Sequence, residues 1–164
     1  AEIAIQSSLT GHLVFSTLHT NDAPTAITRL LDIGVPSFLL AATIRGILAQ
    51  RLVRVICPYC REIDQEAAKD ERTKELFAVE NVTLYRGRGC EKCAYTGFLG
   101  RSGIYELFTI DTSIHSLIIK NADVQQIRET ARKNGMRTLM EDGLLKVKAG
   151  ITTINEIFRA TQEL

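Results

Sequence analysis

Apolar positions along the chain change their spacing several times, and each change predicts a different element. Ile3 and Ile5 among small and polar neighbours read as the end of an amphipathic helix over residues 1–9, stopped near Thr10-Gly11. Leu13-Val14-Phe15 is a short continuous apolar run between Gly11 and the polar stretch Thr17 to Asp22. It predicts a buried strand with His19, Thr20 and Asn21 at its C-terminal end. Asn21 or Asp22 can cap the next helix, Pro24 suits its first turn, and Ala26, Ile27, Leu30 and Leu31 recur at helical spacing up to Gly34. After Pro36 and Ser37, the positions of Phe38, Leu39, Ala42, Leu48 and Leu52 predict a longer helix that delivers the chain to Cys57. Arg45, Gln50, Arg51 and Arg54 would form its polar side.

Asp64 to Val79 is rich in helix formers, whereas Val82-Thr83-Leu84-Tyr85 has the β-branched and aromatic character of a strand. Phe98 to Phe108 favours extended backbone. Four helices follow. Asp111 and Thr112 open the first; Val124, Ile127 and Ala131 stripe the second; Leu139, Met140, Leu144 and Val147 stripe the third, which Gly150 closes. Thr153-Ile154-Asn155-Glu156 has the capping-box pattern that starts a last helix containing Ile157 and Phe158. The expected organisation is an α/β portion over residues 1–56, a cysteine-bearing module with its following strands over 57–108, and a small helical bundle over 109–164.

Composition narrows the class. With 45% hydrophobic and 24% charged residues in a chain of 164, a folded core is expected. Twenty basic against nineteen acidic side chains leave a formal charge of +1, so no strong field points toward nucleic acid or anionic lipid. The charge-free apolar stretch from Ile33 to Ile44 is interrupted by Gly34 and Pro36 and falls short of the roughly 20 residues that span a bilayer. The N-terminus lacks the basic start and apolar core of a secretory signal. It also lacks an initiator Met, which implies a piece of a longer protein.

The chemistry concentrates in the cysteines. All four lie in two pairs, Cys57-Pro58-Tyr59-Cys60 and Cys90-Glu91-Lys92-Cys93, separated by residues 61–89. A two-residue spacer turns two thiolates toward one cation, and a second such turn completes a closed tetrahedral shell, which is the pattern of a structural zinc site. Gly89, Gly97 and Gly100 supply permissive backbone around the second pair. The alternatives are two disulfides or a redox dithiol. Many zinc ribbons bind nucleic acid, but residues 57–101 carry eight basic and eight acidic side chains, so this module offers phosphates no electrostatic footprint.

His12 and His19 flank the run Leu13 to Leu18 and, on spacing alone, read more readily as satisfied structural residues than as functional ones. The segment Gly11-His12-Leu13-Val14-Phe15-Ser16-Thr17-Leu18-His19-Thr20-Asn21 nonetheless resembles the histidine box of the type II secretion and type IV pilus assembly ATPases. The resemblance extends along effectively the whole chain, through Ala23 to Leu30, Leu48 to Arg54, both cysteine pairs, Thr96 to Leu107, Asp142-Gly143-Leu144 and Gly150-Ile151-Thr152.

That resemblance implies the C-terminal portion of a RecA-like P-loop ATPase core, followed by a zinc-ribbon-like module and a helical bundle. It implies a homo-hexamer that uses ATP and Mg²⁺, works with secretion or pilus platform proteins, and sits in the cytoplasm at the inner face of the bacterial inner membrane. By the same resemblance His12 and His19 would lie near the γ-phosphate or a subunit interface, and Arg101 would approach the base and sugar of the nucleotide. The alternative reading of Arg101 is a surface side chain paired with Glu106. The family's phosphate chemistry needs a Gly-rich loop ending in Gly-Lys-Ser/Thr, and no Gly-Lys dipeptide occurs in this sequence, so the chain alone is expected not to hydrolyse ATP. The rival from another class is a self-standing zinc-binding interaction module.

Overall fold

Two long strands bind segments far apart in sequence. β1 (Gly46–Ile56) and β4 (Phe98–Thr109) form one two-stranded sheet; β2 (Arg61–Ile63) and β3 (Tyr85–Gly87) form a second, antiparallel one with Glu62 opposite Arg86. The structure is a computed structural model that describes residues 1–77 and 82–161. Its helices are α1 (Glu2–Leu9), α2 (Thr25–Asp32), α3 (Ser37–Thr43), α4 (Glu71–Leu76), α5 (Thr112–Ile119), α6 (Val124–Lys133), α7 (Leu139–Lys148) and α8 (Ile154–Thr161).

The chain divides into two compact units, the first Ala1–Ala49 with Glu106–Thr138, the second Gln50–Tyr105 with Leu139–Leu164. Of the four C-terminal helices, α5 and α6 therefore belong to the first unit and α7 and α8 to the second. In the first unit Ile27, Leu40, Phe108, Ile114, Ile118 and Ile127 are fully buried in one apolar cluster. Local chemistry fixes its helix starts: the Asp22 carboxylate accepts from the Thr25 amide at 2.9 Å, and Asp111 accepts from the amides of Ser113 and Ile114. In the second unit Val53, Ile56, Ile104, Val147, Ile154 and Ile157 are buried, as are Cys57, Cys60 and Cys93.

Four expectations need correction. The longer helix predicted after Ser37 ends at Thr43, and residues 46–56 are strand. Its apolar positions satisfy both periods over a short window, and pairing with β4 selects the extended one. The Leu13-Val14-Phe15 run is neither a strand nor buried: Leu13 is 78% and Phe15 88% exposed. A strand exists only with a ladder partner, and the four strands among the described residues pair with one another, leaving none for this segment. The strand expected at residues 82–85 begins only at Tyr85, and the helix expected over 64–79 shortens to a 3-10 turn at Ala67–Lys69 and α4; Val79 lies outside the described residues.

Candidate functional site

The first cysteine pair sits where β1 ends. Ile56 is the last residue of the strand; Cys57 then donates its amide to the Gly97 carbonyl at 2.9 Å, and Cys60 turns back to donate to the Cys57 carbonyl at 3.3 Å. The second pair follows β3. Arg88 donates to the Cys60 carbonyl at 2.9 Å, Cys90 starts a 3-10 turn over Glu91–Cys93, and the Tyr95 amide closes that turn on the Cys90 carbonyl. The chain entering the second turn and the chain leaving it are pressed together where Gly87 meets Gly97: a Cβ on either would overlap the other's backbone carbonyl. Only glycine permits this approach, and Gly97 additionally has φ of 77°.

This architecture brings all four Sγ atoms within 4.8 Å of one another, with Cys57 to Cys90 and Cys60 to Cys93 at 3.9 Å and Cys90 to Cys93 at 3.8 Å. Thiolates each about 2.3 Å from one tetrahedral cation stand about 3.8 Å apart. Every cysteine is free, so the disulfide alternative does not describe this structure. Backbone amides of Gly89, Cys90 and Gly97 donate to sulfur at 3.3 Å, toward Cys60, Cys93 and Cys93 respectively. Such donors favour thiolate over thiol.

Ionisation leads to the same chemistry. Burial pushes the Cys60 thiol up to about 12, its neighbouring thiols adding to a rise that the Gly89 amide only partly offsets. Burial also opposes ionisation of Cys93, but there the Cys90 and Gly97 amides and the adjoining sulfurs win, and it falls to about 6. Four thiolates this close repel one another, so a cation is what lets all of them ionise together. The four cysteines can hold one metal ion, with no fifth position left for water.

The histidines lie in the irregular, exposed segment between α1 and α2. His12 Nδ1 is 3.1 Å from the Thr10 hydroxyl and 3.2 Å from the Ser7 carbonyl, so the end of α1 holds it. His19 lines a hollow of ≈ 290 Å³ with Thr20, Asn21, Thr25, Thr28, Arg29 and Asp32. Arg101 is exposed on β4, and Glu106 is buried and accepts the Ala23 amide at 2.8 Å.

Sequence reasoning missed two anchors of the turn after the histidines, namely Glu106 on the Ala23 amide and Arg128 paired with Asp22. Glu106 carried a legible signal, since it shares the buried register of Ile104 and Phe108 along β4. It also missed Glu156. Thr153 accepts the Glu156 amide at 3.3 Å, as a capping box requires, but the Glu156 carboxylate turns instead to Arg54, meeting its amide at 3.0 Å and its guanidinium at 2.7 Å. Arg159, largely exposed, completes the cluster around the buried Glu156 carboxylate at 3.0 Å.

The fold and the site define a mixed α/β segment whose second unit carries four cysteines placed so that they can hold one metal ion. The chain belongs to the Type II/IV secretion system protein family, whose family model matches residues 1–159. It is 48% identical to the type II secretion system protein E of Pseudomonas aeruginosa over 99% of this chain and 32% of that protein. It is 46% identical to the type II secretion system ATPase E of Vibrio cholerae over 99% and 32%, and 45% identical to the type IV pilus assembly ATPase PilB of Thermus thermophilus over 99% and 19%. The chain thus spans about a third of the length of the first of these relatives. Among solved structures, that of the pilus retraction motor PilT with bound ADP resembles it with a TM-score of 0.63 at 26% identity, over 99% of this chain and 37% of that one.

Proposed function

We propose that this chain is the C-terminal part of an ATPase that powers type II secretion or type IV pilus assembly as a homo-hexamer at the cytoplasmic face of the inner membrane. The carrying observation is the 46% identity to a type II secretion system ATPase over 99% of the chain. In this reading the core that the chain completes is RecA-like, ATP and Mg²⁺ act in the whole protein, and the platform proteins of the inner membrane are its partners. His19 and His12 support turnover near the γ-phosphate or a subunit interface, and Arg101 approaches the base and sugar of the nucleotide. The open position of His19, at the rim of a polar hollow, supports a role toward a ligand over a role in the core.

The metal is zinc in this reading. All-thiolate donors at tetrahedral spacing suit a soft or borderline cation, and the closed shell makes it structural. Cys57, Cys60, Cys90 and Cys93 hold it.

Steady-state ATP hydrolysis by the whole protein, by its His19→Ala variant and by these 164 residues alone tests the proposal. The whole protein turns over, the variant falls at least tenfold in kcat, and the isolated chain is inactive because it contains no Gly-Lys-Ser/Thr loop. An inactive whole protein would overturn the motor assignment. EDTA-sensitive turnover by the isolated chain would overturn the assignment of phosphate chemistry to residues outside it.

A further inference from the structure

The four-cysteine site has neighbours on both sides of its first turn that are not ligands, and both sides grip the same element. Before Cys57, the Ile56 amide donates to the Ile151 carbonyl at 2.8 Å and the Arg54 carbonyl accepts the Thr152 hydroxyl at 2.7 Å. Glu156 binds the amide and the guanidinium of Arg54, whose charge also lies 4.2 Å from the centre of the Phe98 ring. After Cys60, Arg61 stacks on Tyr85 at 3.7 Å, and a Cβ at Gly150 would strike both the Arg61 guanidinium and the Tyr85 ring. Residues 54, 56 and 61 thus bracket the first cysteine pair, and all three meet the turn between α7 and α8 or the first turns of α8.

From this arrangement we propose that metal binding at the cysteines and the docking of the α7–α8 hairpin are one coupled event, transmitted by the Arg54–Glu156 and Arg61–Gly150 contacts. The proposal rests on the metal reading above. With the cation bound, Cys57 and Cys60 fix the path of residues 54–61. That path places the Arg54 backbone, the Ile56 amide and the Arg61 guanidinium where residues 150–156 can use them. Without the cation the thiols no longer converge, the path loosens, and the hairpin loses its hydrogen-bonding partners together. Thr152 and Glu156 are buried at 1% and 3% exposure, so their polar atoms cannot exchange these partners for water while the hairpin stays docked.

Coupling of this kind is reciprocal: whatever factor the metal contributes to closing the hairpin, a closed hairpin returns to metal affinity. Glu156 and Thr152 are accordingly positioning residues for the metal site although neither touches a sulfur.

Hydrogen exchange followed by mass spectrometry on the 164-residue chain, zinc-loaded and after chelation, is the direct experiment, with zinc stoichiometry measured in parallel. Chelation is expected to abolish protection in α7 and α8 while α5 and α6 keep theirs. Glu156→Gln and, more conservatively, Thr152→Val are expected to weaken zinc binding about tenfold, the size common for groups that orient ligands, in competition with a chromogenic chelator. Loss of protection in α7 and α8 with α5 and α6 retained, joined to weakened zinc affinity in both variants, supports the coupling. Unchanged α7 and α8 on zinc removal, loss of protection in every helix alike, or wild-type zinc affinity in both variants overturns it. A chain that takes up no zinc at all overturns the metal reading itself, and the coupling falls with it.

Discussion

The two units reach stability by different chemistry. The first closes chiefly on apolar side chains, with Phe108, Ile27, Leu40, Ile114, Ile118 and Ile127 in one cluster, and it buries a single carboxylate among its described residues, Glu106, on the Ala23 amide. The second also buries isoleucines and valines, but it adds four thiols and a carboxylate held by two arginines, none of which is favourable inside a protein without its partners. An apolar cluster degrades gradually as atoms are removed. A cluster of ionised sulfur either has its cation or fails.

The largest effect that would break this contrast is therefore metal loss. Cys93→Ser, or chelation of the wild type, should cost the second unit on the order of 10 kcal/mol, the scale of structural zinc sites. The first unit should keep its transition in thermal unfolding followed by circular dichroism; simultaneous loss of both transitions would show that the contrast is false. Phe108→Ala is the converse test. It should destabilise the first unit by about 3–5 kcal/mol through the lost apolar burial and residual cavity, read as a shift in denaturant midpoint, with zinc content unchanged.

Gly97→Ala sharpens the comparison at the neck of the second cysteine turn. A methyl there meets the Gly87 backbone, which cannot rotate away as a side chain would, and φ of 77° adds strain. A loss of about 2 kcal/mol and partial zinc occupancy are expected, visible by elemental analysis of the purified variant.

The smallest effects are in acid. Hydrogen bonds from the Ser113 hydroxyl and the Ile114 amide, with help from Asn134, hold the Asp111 carboxyl below its ordinary value. Burial pushes Glu156 up, but the Arg54 guanidinium and amide, joined by Arg159, outweigh it and the net shift is downward. Both groups are lowered on folding, so each contributes stability that is fully present above its unfolded value, about 3.9 for Asp and 4.3 for Glu, and lost as pH falls through the lower folded value. Asp111→Ala should cost about 1 kcal/mol at neutral pH as a lost helix cap. It should flatten the acid limb of the first unit's stability profile, and Glu156→Gln should flatten that of the second. A variant whose profile from pH 6 to 2 parallels the wild type would remove the corresponding carboxylate from this account.

What could be read in the chain by itself was whatever closes over a few residues. Asp22 and Asp111 cap helices two or three residues downstream, and α2 and α5 to α8 stand where caps and periodicity put them. The cysteine spacing announced a candidate metal site because each pair is a local turn, and only the meeting of the two pairs needed the fold.

Whatever depends on a distant partner was decided by tertiary structure. Residues 46–56 became strand because β4, beginning at Phe98, pairs with them, and Leu13-Val14-Phe15 did not because no described strand lies alongside. Glu156 left its local capping role for Arg54, 102 positions away, since burial rewards the partner that neutralises its charge over a local amide that merely donates a hydrogen bond. Short-range hydrogen bonds form in any conformation that keeps the local backbone, and so they are written in the residues; a ladder or a buried ion pair has no energy until the fold has brought its second half.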